Sequence, residues 1–375
     1  MGLAFVLYLF DPISVEAKVL KLNDQTWEIN PEFSNPVTTP LIHSTHADLR
    51  VIAGNSMFGK PISIFVRPLN TETVDALRVI ELEVTKQKSE AKLVIENNRA
   101  KEFDPGSIGQ NLDMFKTASF LNSPTNEFSL PVLTVMPQTT LADTNTLGIK
   151  ELIAVGESDF TGSPRNRIHN VIVGAEKFNG LIIAQGEEFS FNKYLGEVDG
   201  ENGFLPELVI KRTGVVPEFG GGLCQVSSTS FRAAMNAGFP ITARRNHSFA
   251  VQYYAPQGTD ATIYPGSQDF KFLNDSSGPI LIRTKIVGQK LYFEYYGTKD
   301  DRGVAFDGPV QFDKKSDGSM KATWTRHVTK NGEVTTQTFN STYLPPALFH
   351  PEEQANTPNP EATPTPTPTP TPATT

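Results

Sequence analysis

The sequence predicts an α+β protein: an N-terminal α+β domain, then a mixed domain with two main helices and a largely antiparallel β region, then a disordered Thr-Pro tail. Three observations carry this. Residues 163–178 and 225–237 repeat apolar or small residues at helical spacing between clear start and stop signals. After residue 249, short apolar runs alternate with Gly, Pro, Asn and Asp clusters, as strands and turns do. From 363 to 372, Thr and Pro alternate, which keeps the chain extended and hydrated with nothing to bury. The 25 Phe, with many Val and Thr, add to the β side.

Taken in order, residues 1–14 open with an apolar run, Met1 to Phe10, too short to span a bilayer. It reads either as the remnant of a clipped signal or membrane anchor or as a first strand. Residues 15–145 read as the first α+β domain. Val15 to Phe33 is a hairpin turning at Asn23-Asp24, Ile62 to Val66 and Ala91 to Glu96 are strands, and Glu72 to Leu82 fits helix or strand. Ile108, Leu112, Phe115 and Ser119 mark a helix.

Residues 151–300 form the second domain. Ser163-Pro164 is a helix start, and Ile168, Val171, Ile172, Ala175 and Phe178 follow at helical spacing up to Gly180. Strands are expected at 181–184 and 208–211. Beyond the second helix they are expected at Phe249–Tyr254, Ala261–Tyr264, Phe270–Leu273, Ile280–Ile286 and Leu291–Tyr296. Residues 301–345 add a hairpin, 322–328 with 334–339, turning at Asn331-Gly332. Residues 346–375 are the stalk, a composition suited to a surface protein.

A net charge of -8 with no basic stripe argues against nucleic acid as a partner. The single cysteine excludes an intramolecular disulfide framework and a cysteine-rich zinc site. His43 and His46 lack a third ligand, so neither a metal nor an organic cofactor is implied.

That one cysteine, Cys224, follows Gly220-Gly221-Gly222-Leu223 and opens the helix 225–237. A thiol in a first helical turn feels the positive end of the dipole, which favours the thiolate. Backbone N–H groups of Gly221, Gly222 and Leu223 are placed to hold an oxyanion. The competing reading is a buried structural cysteine after a glycine turn. A catalytic thiol needs a base and a group to orient it. His247, in Arg244-Arg245-Asn246-His247-Ser248, is the best-placed base, since a short return from the helix brings it towards Cys224. Arg244 and Arg245 are candidates to lower the thiol pKa or bind a substrate carboxylate. Asp260 and Asp269 are both candidates to orient His247, and Ser228 and Thr229 to hydrogen-bond near the thiol.

Together these residues resemble a known family. Glu188-Phe-Ser-Phe-Asn192, Gly220-Gly-Gly-Leu-Cys-Gln-Val-Ser-Ser-Thr229, Arg245-Asn-His-Ser248, Asp260-Ala-Thr-Ile263 and Asp269-Phe-Lys-Phe272 look like the successive blocks of the VanW domain, over roughly 155–297. Asn246 stands where Pro is frequent in the family. Ala91–Asp113, with Phe103-Asp-Pro-Gly106 and Gly109-Gln-Asn-Leu-Asp113, is similar to the peptidoglycan-binding domain that often precedes VanW.

The resemblance implies an extracytoplasmic protein of the cell envelope whose partner is peptidoglycan. Some members look like L,D-transpeptidases. On that reading Cys224 attacks the carbonyl of the third residue of a stem peptide and expels D-Ala. The side-chain amine of a second stem then resolves the thioester, with His247 as base and acid. Two alternatives remain: a hydrolase using the same thioester, and a non-catalytic peptidoglycan-binding scaffold.

Overall fold

A computed structural model describes residues 16–33, 54–55, 61–62, 69–211 and 214–349. The expectations for Met1 to Phe10, His43, His46, most of the strand at 62–66 and the stalk beyond 349 lie outside these residues. The described residues form two compact units, one of those up to 91 with 105–140, the other of 92–104 with those from 141 on.

In the first unit, the strand Lys18–Leu22 pairs with Gln25–Ile29 and, on its other side, in parallel with Glu127–Ser129. The turn falls at Asn23, whose φ of 52 is the left-handed conformation that Asn tolerates. The undecided segment is a helix, α1 (Thr71–Val84), capped by Asn70 and burying Thr73, Leu77, Ile80 and Val84. The helix expected from Ile108 is shorter. Gly109–Leu112 is a strand paired with Val132–Val135, and α2 (Met114–Leu121) begins only after Asp113, whose side chain accepts the Lys116 N–H.

In the second unit, a wholly antiparallel six-stranded sheet runs Glu151–Asp159, Lys290–Gly297, Ile280–Val287, Leu181–Ile183, Arg99–Asp104, Lys92–Glu96. The hairpin 92–104, read from sequence as part of the first domain, therefore belongs to this sheet. It turns on Asn97 and Asn98, both at positive φ, as a two-residue hairpin demands. Two main helices, α3 (Arg165–Glu176) and, after the short α4 (Phe191–Leu195), α5 (Leu223–Asn236), complete the mixed layer. Ser163 does not cap α3; its Oγ accepts instead from Arg167 Nη1 at 2.6 Å.

A phenylalanine core binds α3 and α5 to the strands. Phe178, Phe189, Phe191, Phe231, Phe239, Phe270, Phe272 and Phe293 are all essentially buried. Fully burying one such ring is worth about 1.5–3 kcal/mol.

The C-terminal region holds three strands rather than a hairpin: Gly303–Phe312, Met320–Lys330 and Glu333–Tyr343. It belongs to the same unit as the helices. Trp324 and Phe339 sit edge-on to Phe231 of α5, 6.0 and 5.7 Å away.

Two expected strands are missing. Residues 249–264 form no ladder beyond the Tyr264–Gln268 bridge. Their backbone is satisfied by short turns and by side chains instead. Arg232 donates to the carbonyls of Tyr254, Ala255 and Thr259, Arg244 to those of Gly258 and Asp260, and Gln257 to that of Val251. This frees the segment to carry side chains towards the start of α5.

Candidate active site

The strands Pro206–Lys211 and Gly214–Phe219 form a hairpin that leads into Gly220-Gly221-Gly222 and then α5. Gly222 sits at φ 113, which favours glycine strongly. A Cβ on Gly221 would lie 2.7 Å from the Leu208 carbonyl oxygen, so the turn is pressed against the hairpin. Within it the Leu223 N–H donates to Gly220 O and the Gln225 N–H to Gly222 O. Leu223 is thereby removed as an oxyanion donor, a correction to the sequence reading. The amides of Gly221, Gly222 and Cys224 donate to no backbone carbonyl among the described residues.

Cys224 is half-buried, with Sγ 3.5 Å from Thr262 Oγ1 and 3.6 Å from the Ile263 carbonyl. His247 is 3 % exposed and held on three sides. Its backbone N–H donates to Asp260 Oδ2 at 2.7 Å and its Nδ1 lies 2.6 Å from the same oxygen. Its ring stacks on Tyr254, with centroids 4.2 Å apart. A carboxylate only accepts, so Nδ1 carries a proton. Nε2 is buried and has no hydrogen-bond partner. An imidazole fixed through one nitrogen with the other left over is the arrangement a general base requires.

Asp260 is wholly buried. Beyond His247 it accepts from Arg244 Nη2 at 3.1 Å and from Tyr343 OH at 2.5 Å, both at Oδ1. Its own burial pushes its carboxyl up, but the bond to and charge of His247, then Arg244 and Tyr343, hold it well below the usual carboxylate range. Burial pushes His247 down, yet the bond to Asp260 and then the neighbouring Cys224 lift it to about 9. For Cys224, burial pushes the thiol up, and the neighbouring His247, then Thr262 and Ile263, bring it below its ordinary value. Cys224 and His247 therefore share their protons as one coupled pair.

The remaining candidates separate. Arg244 was a candidate substrate ligand, but its side chain is only 4 % exposed and is used internally by Asp260, Gly258 and Ser341. Ser228 is likewise withdrawn from substrate: fully buried, it accepts the Ala261 N–H at 3.0 Å and ties the Asp260 loop to α5. Thr229, also fully buried, pairs with Ser158. Arg245 is exposed. Asp269 is away from His247; it accepts from Ser190 Oγ and the Asn192 N–H at the start of α4.

Sequence reasoning missed Tyr254, Tyr343 and Arg167. Arg167, on α3, donates to Gln225 Oε1 at 2.7 Å and lies over the Tyr253 ring. The only available signal was the Tyr253-Tyr254 pair beside a histidine loop. No group of side chains able to hold a metal occurs among the described residues.

Fold and site define an α+β domain whose helix start presents a half-buried cysteine to a carboxylate-oriented histidine. Residues 166–296 match the family model described as VanW like protein. The match does not extend to residues 91–113. A stretch of 139 residues, 37% of this chain, is 36% identical to the uncharacterized protein YoaR of Bacillus subtilis. Another of 160 residues, 41% of the chain, is 26% identical to the vancomycin B-type resistance protein VanW of Enterococcus faecalis. The chain spans about half the length of these curated relatives, 46% and 58% respectively. No solved structure matches. Among the described residues no helix is long and apolar enough to cross a membrane.

Proposed function

We propose that this is a cell-envelope protein acting on peptidoglycan as a cysteine-dependent acyltransferase of the L,D-transpeptidase type. The observation that carries this reading is the Cys224–His247–Asp260 constellation, with His247 Nδ1 tied to Asp260 and Nε2 left without a hydrogen-bond partner beside the thiol. The envelope location and the wall as substrate draw on the VanW-like domain, on the resistance protein it is similar to, and on the Thr-Pro stalk.

In the reaction, Cys224 Sγ forms a bond to the carbonyl carbon of the third residue of a stem peptide. The carbonyl electrons move onto oxygen, where the amides of Gly222 and Cys224 receive them. As they return, the C–N bond to D-Ala breaks, and the His247 imidazolium gives its proton to the departing amine. The side-chain amine of a second stem then attacks the thioester, His247 takes its proton, the C–S bond breaks and the thiolate is restored.

Intact-mass spectrometry after incubation with purified stem tetrapeptides tests this, beside Cys224→Ala. A tripeptide adduct on wild type alone, with released D-Ala and a cross-linked dimer, is the expected result. An adduct that only hydrolyses makes the protein a hydrolase. No adduct from folded protein, with full retention on purified sacculi, makes it a binding scaffold; no retention removes the wall assignment.

A further inference from the structure

The VanW match ends at residue 296, yet the shell around Asp260 does not. The strand Glu333–Tyr343 reaches back and places its last residues against the site. Tyr343 OH donates to Asp260 Oδ1 at 2.5 Å and accepts the Gly258 N–H at 2.8 Å. Two residues earlier on the same face, Ser341 Oγ accepts from Arg244 Nη1 at 2.9 Å. Around the strand's end, Asn246 Nδ2 donates to the Thr342 carbonyl, and the Leu344 N–H to the Ser248 carbonyl. The histidine loop is thus clamped on both sides by a strand outside the matched family region.

The chemistry of Asp260 explains what the clamp does. A carboxylate that orients an imidazole must not rotate. Oδ2 is used twice by His247, so only Oδ1 can fix the plane. Arg244 and Tyr343 are its two donors. Burial and the charge on Asp260 keep the Tyr343 phenol protonated far above its ordinary range, so it remains a donor throughout the working pH.

We infer that Tyr343 is a positioning residue of this site. By fixing Asp260 it orients His247 towards Cys224, and the C-terminal sheet is a working part of the site rather than an appendage. The inference rests on the Cys–His–Asp reading above.

The rate of Cys224 alkylation by iodoacetamide against pH tests it on the full chain and needs no substrate. Besides Tyr343, the groups facing the couple are Arg244 and Arg232 towards Asp260, and Tyr254 with Arg167 beside it. All stay in place in Tyr343→Phe, which keeps the ring and removes one oxygen. Loosening Asp260 should raise the midpoint of the profile towards the ~8.5 of an ordinary thiol and slow alkylation at neutral pH several-fold. Merely making Asp260 more basic would tighten its hold on His247 and move the midpoint the other way.

Phe339→Leu, a core change in the same strand away from Asp260, is the structural control. It should lower the melting temperature and leave the midpoint alone. If Tyr343→Phe behaves like Phe339→Leu, or lowers the midpoint, the inference is overturned while the site reading stands. If His247→Gln also leaves the wild-type midpoint unmoved, the site reading fails and this inference with it.

Discussion

Helix α5 has an aspartate–arginine cluster near each end, and the two are built for different outcomes. Past its C-terminus, Arg302 donates to Asp300, to Asp275 and to the carbonyls of Ala237 and Gly238, while Lys330 donates to the Asp275 carbonyl. Asp275 and Asp300 are both paired with Arg302 there, and the cluster caps a helix end, where cations are favoured. Near the N-terminus, Asp260 is just as fully bonded, but one of its partners is a histidine with a second nitrogen. The network closes everywhere except at His247 Nε2. A buried polar network becomes a chemical site when all its members but one atom are satisfied, because that atom is then fixed in place and still reactive.

Replacing one charged member of each cluster separates these roles, and the largest effect is expected at Asp260. Asp260→Asn leaves Arg244 buried without its counter-charge and should cost about 3–5 kcal/mol of stability. It should also return Cys224 to ordinary thiol reactivity. Arg302→Ala removes the capping cation and should cost about 2 kcal/mol, with the Cys224 alkylation profile unchanged. Denaturant unfolding and alkylation measured together check both. An Arg302→Ala protein with altered thiol reactivity would dissolve the distinction between the two ends.

A finer measurement concerns the thiol itself. A group whose pKa is lowered on folding contributes stability above its unfolded value and loses it as pH falls. Cys224 is such a group, with an unfolded value of about 8.5. His247, raised to about 9, has the opposite sign: its contribution is complete below its unfolded value of about 6.5 and fades as pH climbs. The two oppose one another in wild type across this window. The stability difference between wild type and Cys224→Ala reads the thiol together with its effect on His247, and it should grow as pH rises from 6 to 8.5. A difference that stays flat would mean that the thiol is not perturbed.

How much of this was legible follows from what each residue's surroundings require. Cys224 and His247 stood out because their residue types carry chemistry and lie one helix apart. Asp260 and Asp269 were indistinguishable, since both precede apolar runs; only tertiary placement sends one to His247 and the other to the cap of α4. Arg244 and Arg245 were read alike because a sequence does not say which of two neighbours points inward. The strands expected at 249–254 and 261–264 failed for a related reason: alternation signals a half-buried chain, and arginine side chains satisfied that chain without a ladder. Tyr343 was invisible, since its contact to Asp260 spans 83 positions and no local pattern marks it.

The adjacent arginines give the smallest expected effect and the sharpest contrast. Arg244 is locked to Asp260, while Arg245 is exposed and contributes its backbone carbonyl to the Thr262 N–H. Arg245→Ala keeps that carbonyl, so stability should change by no more than about 0.5 kcal/mol and the thiol midpoint should not move. An exposed guanidinium retains one role, attraction of an anionic substrate group, and that attraction is screened by salt. Adduct formation with stem peptides should therefore slow several-fold in Arg245→Ala at low ionic strength and converge on wild type as salt is added. Equal rates at every salt concentration would remove Arg245 from substrate recognition and leave the buried Arg244 as the one arginine of the pair that the site uses.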